Sequence, residues 1–530
     1  MKRVLFALLA ALLILGVAES AFAGGSAEGA AATQKVKIKY WMELAADKVT
    51  PIYKSEGESD LYKWLAEKFN VDIEWLHPPV GQARDQFNLI VASRELPDIM
   101  EFDLRSNYPG GPAKAITDGV TVKHNEIIDK YAPNLSGLFK ANPEWARMAK
   151  LDDGTLYGFP FIRGHEALMV YFGPQFRADW LQELNLKAPT NVDDWYVVLK
   201  AFKDRKGIEY PFSFRQKGVG QDGNDLFDGG TLSGAWGVNR GFYLDENKQV
   251  KYGNMEPGWK DFITTMAKWY KEGLIDPDFP VQDLKTWRAK VLDNKVGAFI
   301  NLVGGGMGYF YNTILPTNPK FKLVGAPNPS LHAGGKTRFG QKQWDVPTPS
   351  QAFITPANKV VQRSAEYLDF GYGKEGHMVF NFGFEGKSYT MINGYPTYTD
   401  IVVKNPQGLA MGIAMSPWMR SHYAGPFVQD VRYFEQFMQY PDQVNAAKTW
   451  ATSSDFSWRL PQIAPTAEES SKIAAIMTEL NTYTDEMLLK FVMGQAGLDQ
   501  WDSYVAQIKK MRVDEALAVQ KAALDRYYKR

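Results

Sequence analysis

Hydrophobic and polar positions alternate at the start of the folded chain. Val36, Ile38 and Tyr40 interleave with Lys35, Lys37 and Lys39, which predicts a half-buried strand. Leu61, Trp64, Leu65 and Phe69 then recur at helical spacing, and Val71, Ile73 and Trp75 alternate again. Phe87, Ile90 and Val91 mark a second helix, and Leu96-Pro97-Asp98-Ile99-Met100 reads as a turn into a short buried strand. Strand–helix–strand–helix–strand predicts a mainly parallel sheet covered by helices. Further on, Pro189-Thr190 before Asp193 resembles a capping box, followed by Trp195, Val198, Leu199 and Phe202 on one helical face. Phe262, Met266, Trp269 and Tyr270 predict another amphipathic helix, ended by Gly273. Val296–Ile300 reads as a buried strand, and Ala467–Arg530 as mostly helical with breaks at Gly494 and Gly497. No repeat of fixed period occurs.

The first residues carry a different pattern. Lys2-Arg3 precedes an apolar run from Val4 to Val17, and Ala21-Phe22-Ala23 offers a small-x-small cleavage site. This predicts a secretory signal peptide over 1–23, cleaved near Ala23, then a Gly/Ala/Ser-rich leader over 24–35. The run is short for a bilayer span. The chain holds no cysteine, so neither a lipid tether on a cleavage-site cysteine nor a disulfide is available. A periplasmic or secreted protein without a stable membrane anchor is expected.

The 530 residues exceed what one core normally serves, so two or more domains are expected. Sixty basic and sixty acidic residues cancel. That argues against nucleic acid or an anionic membrane as the main partner. Aromatic residues make up 14% of the chain, with 15 Trp and 26 Tyr, more than cores alone explain.

Four segments in order carry a family resemblance. They are Arg177-Ala178-Asp179-Trp180-Leu181 through Trp195-Tyr196 and Phe202; Lys268-Trp269-Tyr270-Lys271-Glu272-Gly273 through Phe279; Gly383-Phe384-Glu385-Gly386-Lys387-Ser388-Tyr389-Thr390 with Asn393-Gly394; and Trp501-Asp502-Ser503-Tyr504-Val505 with Asp525-Arg526-Tyr527. Together they resemble the large carbohydrate-type solute-binding proteins of ABC importers, family 1, in the LplA- or LipO-like branch. The resemblance implies an α/β, two-lobed periplasmic-binding-protein fold with crossing hinge strands, type II-like. Lobe one is expected at 36–160 and 320–374, lobe two at 161–319 and 375–530. It also implies a monomer that captures an oligosaccharide or other polar small molecule and delivers it to the permease subunits of an ABC importer. The branch's lipid-bearing cysteine is missing. Larger relatives carry a calcium loop after the helix that Phe202 ends; here Lys203–Tyr210 offers only Asp204 and Glu209. Calcium takes six to eight oxygens, so no structural calcium and no cofactor are expected.

A sugar offers apolar C–H faces to flat rings and hydroxyls to Asp, Glu, Asn and Arg. Trp64, Trp180, Trp195, Trp269 and Trp501 lie on helical stripes and are assigned to core. Trp41, Trp236, Trp344, Trp418 and Trp458 do not, and are candidates for the cleft. Trp41 ends the first strand, where open parallel sheets place ligands. Glu101 and Asp103 follow the strand at Ile99, with a helix cap or solvated loop as the competing role. Arg163 follows the expected first crossing, and Arg338 and Arg420 complete the set; any of the three suits a ligand carboxylate. Gly304–Gly308 lacks the Gly-Lys-Ser/Thr of a phosphate loop and reads as a tight turn. No His-Glu-x-x-His or Gly-x-Ser-x-Gly motif occurs. A non-catalytic receptor is therefore expected. A secreted glycosidase or lyase, and a receptor serving a sensor, remain the alternatives.

Overall fold

The computed structural model describes residues 34–46, 48–215, 230–347, 351–420 and 422–530. The expected signal peptide and nearly all of the leader lie outside the described residues. The chain opens with β1 (Val36–Trp41), helix Asp60–Lys68, β2 (Val71–Leu76), helix Ala83–Ser93 and β3 (Ile99–Phe102). Ser59 starts the first helix by accepting a hydrogen bond from the Tyr62 N–H at 3.2 Å. Further strands are β4 (Phe161–Ile162), β5 (Phe172–Arg177), β6 (Tyr210–Phe212), β7 (Val296–Leu302), β8 (Leu323–Gly325), β9 (Gln351–Ile354) and β10 (Phe427–Val428).

The strands form two principal sheets, each with its own core. The first has the order β9-β3-β1-β2, with β1 parallel to both neighbours and β9 antiparallel to β3. Val36 faces Val71 and the register runs to Trp41 opposite Leu76. Side chains alternate between the sheet's faces. Ile38 and Tyr40 therefore enter one core with Leu61, Leu65 and Phe159. Trp41 enters a second layer with Phe87, Phe102 and Tyr157 on the other face. The second sheet, β8-β5-β7-β6, is mixed: β7 is antiparallel to β5 and parallel to β6. Its core gathers Trp195, Trp259 and Trp269, all fully buried, with Phe176, Phe212 and Phe262. The fold is a two-lobed α/β architecture.

Local details depart from the sequence reading. The helix Val192–Asp204 is capped by Asn191, which accepts from the Asp194 N–H at 2.9 Å; Asp194 accepts in return from the Thr190 N–H and hydroxyl. The cap thus sits one residue later than the Thr190 pattern suggested. The glycine run forms a π-helical turn, Val303–Gly308, that continues into helix Tyr309–Ile314. Placing 320–374 in lobe one also needs correction. β8 pairs antiparallel with β5 in the second sheet, and the chain rejoins the first core only from about Trp344 and Val346.

The C-terminal part does not belong wholly to lobe two either. Tyr367, Phe370, Phe380 and Phe427 pack in the first core. The helix Ala467–Val492 starts against helix Gly111–Thr117 of the first lobe and ends in the second core through Leu480, Leu488 and Phe491. The chain therefore passes between the lobes at Phe161–Arg163, near 342–346, near 428–433 and along this helix. β4 and β10 pair in parallel at the seam.

Candidate ligand-binding cleft

The carboxyl ends of β1 and β3 open into a cavity of about 150 Å³. Met42, Glu43, Glu101, Phe102, Asp103, Asn107, His422 and Ala424 line it. Adjacent parallel strands end together, so residues just past them share one opening. Asp103 caps helix Leu104–Asn107 through Oδ1, which accepts from the N–H groups of Arg105 and Ser106 at 3.0 and 3.1 Å. No hydrogen bond among the described residues engages its Oδ2.

Glu101 and Arg420, both expected to reach a ligand, meet each other instead. Arg420 Nη2 donates to both Glu101 oxygens at 2.6 and 2.7 Å. Its Nη1 donates to the Tyr62 hydroxyl and its Nε to the Ala424 carbonyl. Tyr40 donates to Glu101 at 2.5 Å. Burial is the largest single influence and would lower the Arg420 pKa, but the Glu101 charge and hydrogen bond, with Tyr62 and Tyr40, together outweigh it and hold the guanidinium protonated. Burial and the neighbouring Glu101 charge push the Tyr40 hydroxyl well up. Gly425, at φ +73°, closes this loop: a Cβ there would stand 2.5 Å from Glu101 Oε2. The pair is thus a packed strut beneath the cavity.

Beside the strut sit two buried groups that the sequence reading missed. Glu56 Oε1 lies 3.8 Å from His422 Nε2. Burial raises the Glu56 carboxyl to about 7. Burial, then the Arg420 charge, lower His422 to about 3, so it is neutral and does not form an ion pair. His77 is also lowered by burial; its Nδ1 meets the Met42 carbonyl at 2.9 Å.

Tyr423, 37% exposed, presents a ring at the same loop. Lys48 Nζ stands 4.1 Å from its centroid, with Phe161 at 6.5 Å and Tyr433 at 5.8 Å. Beyond them Arg163 lies 5.4 Å from the Phe161 ring and 5.1 Å from Tyr171. The Arg163 N–H donates to the Asp345 carbonyl at 2.7 Å, which brings in the segment carrying Trp344. Arg459 lies 4.0 Å over the Trp344 ring. Among the sequence candidates, Glu101, Asp103 and Arg420 share the cavity, and Arg163 and Trp344 share the adjoining crossing.

The other candidates lie elsewhere. Trp41 is 3% exposed and packs edge-on to Phe102 at 5.6 Å, on the core face of the first sheet. Being last in the strand did not turn its ring outward, because the alternation points it into the helix-covered layer. Trp236, Arg338 and Trp458 form one group on the second lobe. Arg338 stacks 3.6 Å from Trp458, and Trp236 tilts against Phe262 at 5.4 Å. A Cβ on Gly234 would collide with the Arg338 carbonyl, so the small residues there serve close packing rather than access. Trp418 borders a separate cluster around Phe382 and Tyr398, under Lys387 at 4.1 Å. Asp204 and Glu209 face Lys200 at 2.8 Å and Lys295 at 3.0 Å.

Some of the missed residues carried a readable signal. Glu43 lies two residues past β1 and obeys the same strand-end rule as Glu101. His422 and Tyr423 follow Arg420 in a loop closed by Gly425-Pro426, but only tryptophans were sorted by loop position. Glu56 had no local signal.

The architecture recurs in known proteins. The chain is 23% identical over 514 residues to the fructooligosaccharide ABC transporter substrate-binding protein FusA of Streptococcus pneumoniae, covering 89% of this chain and 88% of that one. It is 27% identical over 289 residues, 52% of each chain, to the polygalacturonan/rhamnogalacturonan-binding protein YtcQ of Bacillus subtilis. The crystal structure of the alginate-binding protein AlgQ2 without calcium ion superimposes with a TM-score of 0.76 at 26% identity, covering 93% of this chain and 99% of that one. Over most of its length the chain is thus similar to substrate-binding proteins of ABC transporters. No protein-family model matches it. These relatives are binding proteins. No helix among the described residues of this chain is long and apolar enough to cross a membrane.

Proposed function

We propose that this chain is an extracytoplasmic receptor that captures an oligosaccharide between its lobes by hinge closure and hands it intact to an ABC permease. The carrying observation is the cavity at the ends of β1 and β3, beside crossing segments that would bend as the lobes close. Relatives named for fructooligosaccharide, polygalacturonan and alginate binding support a sugar as the guest. Glu43, Asp103 and Asn107 supply groups for hydroxyls, and Tyr423 and Trp344 supply flat faces. Closure expels water and strengthens those contacts. Only a ligand that binds the closed form more tightly can drive it. The moving units divide at the crossings given above rather than at 160, 320 and 375. Export by a signal peptide cleaved near Ala23, a monomeric state and the absence of turnover belong to the same reading.

A thermal-shift screen of the full chain against neutral and acidic oligosaccharides tests it, since a ligand of the native state raises the melting temperature. Small-angle scattering should show contraction with the hit, and chromatography should return the sugar uncleaved. No shift with any glycan, or a cleaved product, would sink the reading.

A further inference from the structure

Buried cations in this molecule are generally matched by carboxylates. Arg177 pairs with Asp179 at 2.6 Å, Lys290 with Asp276 at 2.8 Å, and Arg420 with Glu101 at 2.6 Å; Arg530 meets Asp152. Burying a guanidinium without such a partner is unfavourable. Two arginines at the crossing nevertheless form no ion pair with a carboxylate among the described residues, although the Asp345 charge acts on Arg459 from beyond contact.

Arg163 donates to the Leu168 carbonyl at 3.1 Å and the Tyr171 hydroxyl at 3.3 Å, and its buried Nε has no partner. Arg459 donates through Nη1 to the Lys342 carbonyl, and its buried Nε is likewise unpartnered. Burial lowers both pKa values, for Arg163 against the Tyr171 hydroxyl and for Arg459, to about 10, against the opposing Asp345 charge. The two meet the same short stretch of chain. Arg163 holds the Asp345 carbonyl, and Arg459 lies on Trp344. Lys342 in that stretch faces Glu166 at 3.6 Å and so already has an acidic neighbour.

We propose that Arg163 and Arg459 receive a carboxylate of the ligand at the crossing, so that the captured sugar is an acidic one containing uronate units. The inference rests on the sugar-receptor reading above. A neutral sugar supplies acceptors but no charge, and leaves Arg163 uncompensated and Arg459 answered only by the unpaired charge of Asp345. A uronate supplies a planar anion with two acceptors for the N–H groups still free, and its ring can lie on Trp344 or Tyr171. Arg420 is not available for this role, because Glu101, Tyr62 and Ala424 already occupy its N–H groups. The cavity carboxylates Glu43 and Asp103 repel an anion and accept hydroxyl donors. They therefore orient the acidic group away from themselves and toward the crossing.

Calorimetry of the full chain with trigalacturonate, alginate trimers, the same galacturonide after carboxyl reduction, and a neutral fructooligosaccharide tests the proposal. At least one acid should bind tenfold or more tighter than the reduced and neutral sugars, and its affinity should fall with salt. Arg459→Gln should weaken the acid by roughly tenfold or more, while Arg459→Lys should recover part of the loss. The comparison of acid with its reduced form on the unaltered protein stands even if a variant fails to fold. Equal binding of acid and reduced sugar, or tight neutral binding without acid binding, overturns the charge assignment and leaves the sugar receptor intact. Binding of none of the four overturns the charge assignment too; if a wider glycan screen is also blank, the receptor reading falls with it.

Discussion

Arg420 and Arg163 are the same side chain in two electrical settings. Arg420 lies under the first-lobe cavity with each nitrogen engaged and Glu101 2.6 Å away. Arg163 lies at the crossing, between two rings, with a carbonyl, a hydroxyl and no carboxylate. The first setting is complete without a guest. The second holds a charge that only something outside the described residues can match. Residue type alone marked both as ligand contacts; the partner distinguishes a strut from a receptor group.

The strongest break of that comparison is mutation of both arginines to the same apolar residue. Arg420→Met strips Glu101 of its counter-charge beside the buried Tyr40 and Tyr62, and should lower stability by about 3–5 kcal/mol in urea unfolding. Arg163→Met removes a buried cation that no carboxylate answers, and should change stability by no more than about 1 kcal/mol. Equal losses would mean that Arg163 is also a strut.

Trp41 and Tyr423 extend the contrast from charges to rings. Trp41→Ala empties a site between Phe87 and Phe102, and should cost about 3–4 kcal/mol of stability. Ligand affinity of the remaining folded protein should be unchanged, measured by calorimetry at low temperature. Weakened affinity with unchanged stability would return Trp41 to the cleft.

These pairs also show what was legible in the sequence. The first sheet was readable, because period-two and period-3.6 patterns report which face of an element is buried. Ile38, Tyr40, Leu61, Leu65 and Val71 all lie in the expected core. The lobe boundaries were not readable, because β8 joins β5 across 140-odd residues of chain without any local mark. The cavity was half readable. Strand ends pointed to Glu101 and Asp103, but the pairing of Glu101 with a residue 319 positions away carries no sequence signal. Trp41 misled because the strand-end rule locates a residue along the strand and says nothing about which face its ring takes.

The buried acid Glu56 and the buried base His422 allow a finer cut at the matched region. For Glu56 the folded pKa is about 7 against a reference of 4.5. The folded state keeps a proton that the unfolded chain has lost, so its contribution to stability falls as pH rises from about 4.5 to about 7. For His422 the folded value is about 3 against 6.5. Here the unfolded chain takes the proton first as pH falls, so stability rises between about pH 3 and pH 6.5. The two slopes, each up to about 1.4 kcal/mol per pH unit, oppose one another between pH 4.5 and 6.5. Relative to the parent, Glu56→Gln should steepen the rise in stability up to pH 6.5 and increase stability above pH 7. His422→Asn should instead add a fall across that window. Parallel profiles for parent and both variants, from urea melts at half-unit pH steps, would show that neither group is held away from its ordinary value.

The smallest effect is expected at Tyr423, and it separates ring from hydroxyl. The side chain is 37% exposed and its neighbours are Lys48, Phe161 and Tyr433, so its removal leaves no cavity in a core. Tyr423→Ala should leave the melting temperature within a few degrees and weaken sugar binding by about 1 kcal/mol, the contribution of one stacked face. Tyr423→Phe keeps the face and should bind like the parent. If phenylalanine loses as much as alanine, the hydroxyl makes the contact and Tyr423 joins Glu43 and Asp103 as a polar group of the cavity. If neither variant changes affinity, the sugar sits deeper toward Trp344, and the exposed ring marks the rim of the site rather than its floor.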